Sequence, residues 1–326
     1  MILTVTPNPA VDLTWHVDAL QPGATHRVPT GASRAGGKGL NVARVLHATG
    51  HDVLAVATAG GATGDELRAD LEASGVPHRL VPTRAATRRT VAIVDERAGD
   101  TSILNEFGAS LASAEARALA DAAAELGGEA SAVAISGSLP PGFGRSKLGA
   151  LVERLVDAGV PVVVDTSGPG ILAAASAGAT ALKPNREELA AATGLDDPLD
   201  GARTLLAGGA RVVVVSLGAD GLLVVGRDGA PVRGRLPRVL HGNATGAGDA
   251  VVAAIAVSLA DGDDLWSDTD AAADARARLA RRATAWSASA VLMPLAGELS
   301  PDHAALADEV DITTIDDDED EDEDAE

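Results

Sequence analysis

The chain has 326 residues, and its 47 acidic and 26 basic residues give a formal net charge of −21, which disfavours binding to the phosphate backbone of nucleic acids. It contains no cysteine, which excludes disulfides and thiolate metal sites, and it has no uninterrupted apolar run of membrane-spanning length. The first residues do not have the basic and apolar regions of a secretory signal peptide. We therefore expect a cytoplasmic protein that binds neither nucleic acid nor membranes.

The cations are almost all arginines, since Lys38, Lys147 and Lys183 are the only lysines. An acidic protein that is poor in lysine and aromatic residues is typical of a salt-loaded cytoplasm, where ions screen its self-repulsion. This composition predicts a halophilic protein, and an acidic protein of another origin is the alternative. We expect one folded domain over residues 1–310. Residues 311–326 are expected to form a disordered acidic tail, because acidic residues dominate that segment.

Short β-branched runs alternate along the chain with longer segments rich in alanine and leucine. The predicted buried strands cover residues 2–5, 53–58, 132–136, 160–165, 180–182 and 211–216. The predicted helices cover residues 41–49, 65–74, 114–126, 145–158, 186–193 and 201–207. This alternation predicts an α/β fold with a doubly wound, mostly parallel sheet covered by helices on both faces. Ligands bind such sheets at the carboxyl ends of the strands.

Two segments, residues 12–34 and 87–107, interrupt this alternation with extended sequence that has no helical pattern. In the second segment, residues 90–94 and 101–104 are predicted to be two strands joined by a turn at 97–100. Strands outside the main sheet could form a small second sheet that acts as a lid. An ordinary excursion at the edge of the main sheet is the alternative.

A glycine-rich turn precedes an apolar helix in residues 243–250 (Asn-Ala-Thr-Gly-Ala-Gly-Asp-Ala). The unpaired N–H groups and the dipole at the start of a helix form a ready anion site. Asp249 would lie beside the bound anion, where a carboxylate is suited to accepting a proton. This combination indicates phosphoryl transfer to an alcohol. A plain helix start capped by Thr245 or Asp249 is the alternative.

Residues 36–43 (Gly-Gly-Lys-Gly-Leu-Asn-Val-Ala) form a second glycine-dense entry into a helix. They are not a P-loop, because no serine or threonine follows the lysine directly. Consecutive glycines let a ligand approach the backbone, and Lys38 and Asn41 would then supply donors. Residues 6–12 (Thr-Pro-Asn-Pro-Ala-Val-Asp) follow the first strand. There Asp12 could accept hydrogen bonds from sugar hydroxyls, although such a sequence is also ordinary turn chemistry.

Four other positions carry weaker signals. Asn185 and Glu188 have the spacing of a helix capping box, and they could also orient a hydrated Mg²⁺ ion. Residues 216–221 (Ser-Leu-Gly-Ala-Asp-Gly) are a hairpin turn or a ligand contact, and Ser138 follows a predicted strand. Arg88, followed by a second arginine at the base of the lid, could bind a phosphate bidentately or form surface ion pairs.

Taken in their order, these motifs resemble those of the PfkB carbohydrate kinases of the ribokinase superfamily. The resemblance covers about residues 1–291. Within the superfamily the chain looks like the branch that acts on sugar phosphates, and it is most similar to the 1-phosphofructokinases. The resemblance implies a ribokinase-like three-layer fold with a β-sheet lid, ATP and Mg²⁺ as cofactors, and a homodimer formed through the lid.

The resemblance also implies a role for each motif residue. Asp249 would be the base, and the amides of Gly246, Ala247 and Gly248 would form the anion hole. The residues that would hold the sugar phosphate are Asp12, Arg27, Gly37, Lys38, Asn41, Arg88 and Ser138. The residues that would hold Mg-ATP are Lys183, Asn185, Glu188, Ser216, Gly218 and Gly221. Of these, Asn185 and Glu188 would bind Mg²⁺ through water.

The implied reaction transfers the γ-phosphoryl group of ATP to the 6-hydroxyl of fructose 1-phosphate, giving fructose 1,6-bisphosphate and ADP. Tagatose 6-phosphate, fructose 6-phosphate and an unphosphorylated sugar are the alternative acceptors. A sensor that binds nucleotide or sugar without catalysis is the alternative from another class. The presence of Asp249 argues against a sensor, because a pure binder gains nothing from a carboxylate beside a bound phosphate.

Overall fold

The computed structural model describes residues 1–315 as an α/β fold built on a ten-stranded sheet. With strands numbered in chain order over the whole fold, this sheet contains β1 (Ile2–Thr6), β4 (Val53–Ala59), β5 (His78–Pro82), β8 (Ala132–Ser136), β9 (Val162–Asp165), β10 (Ala181–Leu182), β11 (Val212–Ser216), β12 (Leu222–Gly226), β13 (Val232–Arg235) and β14 (Asp311–Thr314). Their spatial order is β14-β13-β12-β11-β10-β9-β8-β1-β4-β5. In this spatial order, the seven strands from β11 to β5 are parallel to their neighbours. Strands β12, β13 and β14, at the other edge, are each antiparallel to the strand beside them. The predicted α/β class with a mostly parallel sheet is confirmed.

Ten helices connect these strands in the described part of the chain. They are α1 (Lys38–Ala48), α2 (Gly61–Ala73), α3 (Ser113–Gly127), α4 (Arg145–Asp157), α5 (Pro169–Ser176), α6 (Arg186–Thr193), α7 (Pro198–Ala207), α8 (Ala247–Ala260), α9 (Asp270–Val291) and α10 (His303–Asp308). None of the helices in residues 1–315 is both long and apolar enough to cross a membrane.

Two buried clusters lie on the two faces of the sheet, and successive residues of β1 show why. Ile2 belongs to the cluster that contains the apolar residues of α1, α8 and α9. Leu3 and Val5 belong to the other cluster, which contains those of α3, α4 and α7. Side chains alternate between the faces of a strand, so a strand with apolar residues at consecutive positions must be buried on both sides. The carboxyl ends of the central strands remain uncovered by these helices and form the edge where ligand residues collect.

The lid is a separate four-stranded sheet. It consists of β2 (Ala10–Val17), β3 (Ala32–Gly36), β6 (Arg88–Asp95) and β7 (Asp100–Asn105), in the order β3-β2-β6-β7. Strand β2 is parallel to β6 and antiparallel to β3, and β6 and β7 form the predicted hairpin. The prediction of a small second sheet is confirmed, and the alternative of an edge excursion is wrong.

The predicted start of the tail needs correction. Residues 311–314 are not disordered but form β14, which pairs with β13 so that Ile312 lies opposite Gly234. This strand depends on a partner that is distant in sequence, which local composition does not reveal. Residues 316–326, which carry the acidic run, lie outside the described residues. The pattern also did not predict α5, α9, α10, β5 and β13, and it began α1 three residues late.

Gly39, in the first turn of α1, is required by close packing. A Cβ at this position would overlap the Thr6 hydroxyl and lie 2.8 Å from the Val5 carbonyl oxygen, so Gly39→Ala is expected to destabilise the fold by about 1–3 kcal/mol. Gly149, inside α4, is the matched control, because a Cβ there meets only the Ala173 carbonyl at 3.7 Å. Gly149→Ala is expected to stabilise by about 0.5–1 kcal/mol. Denaturant unfolding of both variants measures the difference, and equal stabilities would contradict the packing argument.

Candidate active site

The turn that opens α8 brings backbone donors and a carboxylate together. Gly246 caps the helix in a left-handed conformation with a φ of 91°, which glycine adopts readily. Within residues 1–315, no hydrogen bond uses the amide of Gly246 or Gly248. The Ala247 amide instead donates to the carbonyl of Ala244 at 3.2 Å. Two of the three predicted amides are therefore available to an anion.

Asp249 follows this turn and is almost completely buried, with 5% of its surface exposed. Nδ2 of Asn41, on α1, donates to its Oδ2 at 2.8 Å. Burial, followed by the negative charge of Asp165, raises the pKa of Asp249 to about 7, although Lys38 acts in the opposite direction. A carboxyl group with this pKa exchanges its proton near neutral pH, as a general base must.

Asp165, which the sequence analysis did not single out, links two lysines at the carboxyl end of β9. Its buried Oδ1 accepts a hydrogen bond from Nζ of Lys38 at 3.1 Å and lies 3.6 Å from Nζ of Lys183, and its Oδ2 accepts from Oγ of Ser136 at 3.2 Å. The carboxylate compensates the cost of burying the ammonium of Lys183. A carboxylate directly after a run of valines, at the ligand-binding edge of the sheet, was the signal that could have identified it.

Lys38 is predicted to hold the sugar. Its ammonium lies between the predicted sugar-phosphate site and the predicted Mg-ATP site. Besides Asp165, its Nζ lies 3.7 Å from Oε1 of Glu188. Burial would lower the pKa of Lys38, but the surrounding carboxylates of Asp165, Glu188 and Asp249 raise it above its usual value. The ammonium is therefore a permanent positive charge beside Asp249.

A small cavity of about 60 Å³ lies between the lid and the turn before α8, and Asp12, Asn41 and Thr245 are among its lining residues. Burial raises the pKa of Asp12 to about 6, although the hydroxyl of Thr90 and then nearby guanidinium groups lower it. A side chain on Gly36 would overlap the carboxylate of Asp12. The predicted sugar residues Asp12 and Asn41 thus line one cavity. This cavity extends to the turn at residues 243–248 that opens α8, which we call the anion turn.

Gly37, another residue predicted to hold the sugar, has a backbone conformation that requires glycine. Gly37 precedes α1 with a φ of 106°, and a Cβ there would lie 3.0 Å from the Cα of Pro9. Only glycine combines that backbone conformation with that proximity. On the lid side, Arg34 donates to Glu298 at 2.8 Å and to the Ala296 carbonyl at 3.1 Å, which ties β3 to the loop packed against Gly246.

The remaining predicted sugar-phosphate residues divide into two groups. Arg88 and Ser138 lie on either side of Asn8, close to the cavity. Arg27 lies in the exposed segment between β2 and β3, and no hydrogen bond or ion pair in residues 1–315 involves it. The role of Arg27 in holding the sugar phosphate stays a prediction. A position in a long irregular segment cannot be located from sequence pattern alone.

A second, larger cleft of about 560 Å³ lies on the other side of the anion turn. The predicted nucleotide residues Asn185, Ser216, Gly218 and Gly221 line it together with Gly248. Lys183 does not line this cleft, because its side chain is buried against Asp165, although its Nζ would lie 3.5 Å from a Cβ placed on Gly248. The ends of β10 and β11 therefore open directly toward the start of α8.

Asn185 and Glu188 form the capping box that their spacing predicted. Oδ1 of Asn185 accepts from the Glu188 amide at 2.7 Å, and the Asn185 amide donates to Oε2 of Glu188 at 3.0 Å. Oε1 of Glu188 is left over and lies toward Lys38. Among residues 1–315, no group of three or more histidine, aspartate or glutamate side chains is arranged to hold a metal ion. A single carboxylate oxygen fits a hydrated Mg²⁺ ion that is shared with phosphates, and Glu188 offers one more readily than Asn185 does.

Comparison with known proteins identifies the family. The sequence pattern of the pfkB family carbohydrate kinases matches residues 6–289. The chain belongs to this family. The matched span contains the anion turn and most of the residues that line the two clefts, so the resemblance seen in the motifs is confirmed.

The chain is similar to known proteins over most of its length. The chain is 37% identical to a 1-phosphofructokinase of Xanthomonas campestris over 79% of this chain and 84% of that protein. It is 40% identical to a 1-phosphofructokinase of Haloferax volcanii over 70% of this chain and 74% of that protein. It is also 38% identical to an ATP-dependent 6-phosphofructokinase isozyme 2 of Mycobacterium tuberculosis, over 82% and 79% of the two chains.

Solved structures support the fold of the kinase. Phosphofructokinase-2 from Escherichia coli in complex with fructose-6-phosphate superposes with a TM-score of 0.82 at 30% identity, covering 94% of this chain and 98% of that one. A ribokinase from Arabidopsis thaliana superposes with a TM-score of 0.70 at 21% identity, covering 94% and 97% of the two chains, which shows the common fold. The ribokinase-like fold with a small separate sheet is therefore confirmed.

The electrostatics of the kinase site predict a shift in its pH dependence. A base at Asp249 must be deprotonated, so kcat/KM should rise as the pH passes through about 7. Asp165→Asn removes a negative charge that raises the pKa of Asp249, so this rise is expected at lower pH in the variant. Asp157→Asn, at the exposed end of α4, is the control and should leave the profile unchanged. A profile that does not move in Asp165→Asn would contradict the assigned electrostatics, whatever the loss in stability.

Proposed function

We propose that the protein is an ATP-dependent sugar-phosphate kinase that converts fructose 1-phosphate and ATP into fructose 1,6-bisphosphate and ADP. The observation that carries this proposal is the position of Asp249 between two clefts. Thr245, before the helix, lines the small cavity beneath the lid, whereas Gly248 lines the larger cleft. An acceptor in one cleft and a nucleotide in the other would meet at the turn that opens α8, which is the arrangement that in-line transfer requires.

In the proposed mechanism, Asp12 and Asn41 hold the acceptor so that its 6-hydroxyl lies beside Asp249. The carboxylate takes the hydroxyl proton as the oxygen attacks the γ-phosphorus. A new O–P bond forms while the bond from that phosphorus to the oxygen retained by ADP breaks. The free amides of Gly246 and Gly248, with the ammonium of Lys38, stabilise the charge that develops on the transferred group. Positioning and electrostatics supply most of the rate in such reactions.

The nucleotide is proposed to lie along the larger cleft, with Ser216, Gly218 and Gly221 beside it and the Lys183–Asp165 pair beneath its phosphates. Glu188 is proposed to hold a water ligand of Mg²⁺ through Oε1, and Asn185 acts mainly by keeping Glu188 in place through the capping box. A Mg²⁺ ion bound there would neutralise charge on the nucleotide phosphates. A kinase of this kind works where ATP is supplied, which supports a cytoplasmic location.

Fructose 1-phosphate is proposed as the acceptor because two of the relatives described above are 1-phosphofructokinases, one of them from Haloferax volcanii. The acidic, lysine-poor composition is typical of halophilic proteins, and it supports a requirement of the enzyme for salt. Fructose 6-phosphate is the second candidate, favoured by the relative from Mycobacterium tuberculosis. A sensor without catalysis is the weakest candidate, since a buried proton acceptor has no function in a pure binder.

The test of this function is ADP release with Mg-ATP in molar KCl, using fructose 1-phosphate, fructose 6-phosphate, tagatose 6-phosphate and free fructose as acceptors. We expect kcat/KM for fructose 1-phosphate to exceed the others at least roughly tenfold, which is about 1.4 kcal/mol of discrimination. Asp249→Asn is the matched control, since it keeps the side-chain shape and should lower kcat by roughly 10²–10⁴-fold. If the enzyme preferred another acceptor, that sugar would replace fructose 1-phosphate as the assigned substrate. No turnover with any acceptor, or full turnover by the variant, would reject the proposed function.

We also propose a homodimer in which a second copy packs against β7 of the lid and the segment that follows it. Ile103, Leu104 and Phe107 are exposed to 46%, 58% and 99%, and of these Ile103 also lines the small cavity. Exposed apolar side chains clustered in one segment mark an interaction surface. Phe107→Asp is expected to shift the protein toward monomer in analytical ultracentrifugation, with Leu172→Asp, at another exposed apolar position, as the control. A wild-type mass equal to that of the monomer would contradict the dimer.

A further inference from the structure

The turn between β1 and β2 places Asn8 between two side chains that are proposed to hold the acceptor's phosphate. Its Nδ2 donates to Oγ of Ser138 at 2.8 Å. Its backbone carbonyl accepts from Nη2 of Arg88 at 3.4 Å. Asn8 therefore contacts both side chains, one through its amide group and the other through its backbone.

The guanidinium of Arg88 has only weak hydrogen-bond partners within residues 1–315. Its Nη atoms donate to the Asn8 and Glu106 carbonyls and to the Thr90 hydroxyl at 3.3–3.4 Å, and its buried Nε has no partner. Asp12 attracts this guanidinium without a hydrogen bond to it. Charged bonds from arginine to phosphate are shorter, at about 2.7–2.9 Å. A partly buried guanidinium that is bonded only to neutral oxygens is suited to receive an anion.

The side-chain amide of Asn8 is held in one place by its surroundings. A Cβ on Gly108 would overlap this amide, so the segment after β7 packs directly against it. The NH₂ group carries two hydrogens, of which Ser138 accepts one. Because Oγ of Ser138 accepts from Asn8, its own hydrogen is free to be donated elsewhere. The second amide hydrogen and this hydroxyl form a pair of neutral donors beside Arg88.

We infer that Asn8 is a specificity residue of the acceptor site: its amide donates to the phosphate of the phosphorylated sugar and directs the Ser138 hydroxyl toward the same group. The inference rests on the proposed function and adds Asn8 to the residues that bind the acceptor's phosphate. One guanidinium, one amide and one hydroxyl match a phosphomonoester dianion, which has three non-bridging oxygens. An acceptor without a phosphate makes no use of these donors, so Asn8 separates phosphorylated from unphosphorylated sugars.

Asn8→Asp provides the sharpest test, because it keeps the side-chain shape, removes both donor hydrogens and adds a charge that repels a dianion. The KM for the sugar phosphate that the wild type prefers is expected to rise roughly tenfold or more. The kcat and the KM for ATP should stay within about twofold, since neither reports this contact. Turnover of free fructose at high concentration should not fall.

Asn105→Asp is the matched control, since it adds the same charge on β7 while keeping the oxygen that accepts from Thr90 at 3.1 Å. This control is expected to leave the KM for the sugar phosphate close to that of the wild type. An equal rise in both variants would show a general charge effect and overturn the inference. An equal loss of activity with phosphorylated and free sugar in Asn8→Asp would also overturn it, because Asn8 would then be structural.

Two alanine variants keep the test decisive if the aspartate variant folds poorly. Asn8→Ala and Ser138→Ala should each raise the KM for the sugar phosphate, and the double variant should raise it by less than the product of the two single effects, because Asn8 orients Ser138. Independent effects that multiply would contradict the orienting role. A wild type that turns over no phosphorylated sugar would reject the proposed function. A wild type that does so, with unchanged KM in both Asn8 variants, would reject only this inference.

Discussion

The structure depends on keeping an ionisable carboxyl group buried at the start of a helix. Asp249 is enclosed by α1, by the end of β9 and by its own turn, and it has one direct hydrogen-bond donor, Asn41. A buried carboxylate is costly unless neighbouring dipoles and cations compensate it. The helix dipole, Asn41 and two lysines supply that compensation, and Asp165 limits it. The result is a group whose proton affinity lies near neutrality, where a base for an alcohol is useful.

This arrangement explains why the charged residues around Asp249 form a network rather than separate ligand contacts. Lys38 follows a glycine turn, Lys183 follows β10 and Glu188 caps α6, yet their charged groups converge on Asp165 or on Lys38. The parallel sheet makes this convergence possible, because the carboxyl ends of neighbouring strands share one edge. Three lysines remain in the whole chain, and two of them belong to this network. The third, Lys147, is exposed on α4, so the two lysines of the network are the ones that serve as compact buried or half-buried charges.

The local parts of this site could be predicted from the sequence, whereas the links between them could not. The anion turn and Asp249 were predicted from glycines that precede an apolar helix, although a plain capped helix start has the same pattern, and the capping box of Asn185 and Glu188 was predicted from its spacing. Asp165 was missed because it ends an ordinary valine strand, and its role appears only with Lys38, which is 127 residues away in sequence. The roles of the Ala247 amide and of Arg27 came from the resemblance alone. In the structure the Ala247 amide donates to the Ala244 carbonyl, and Arg27 lies in the exposed segment between β2 and β3. Strand β14 was assigned to the tail because strand pairing is a tertiary property.

The buried base is tested most directly by a titration of the aspartate side-chain carboxyl carbons by ¹³C NMR, in wild type and in Asp249→Asn. One resonance is expected to titrate with a pKa of about 7 in the wild type and to disappear in the variant. Asp12, with a pKa of about 6, should remain visible in both and serves as an internal reference. If every aspartate of the wild type titrated in the ordinary acidic range, Asp249 would not be held by burial as described, and its assignment as a base poised near neutrality would be wrong.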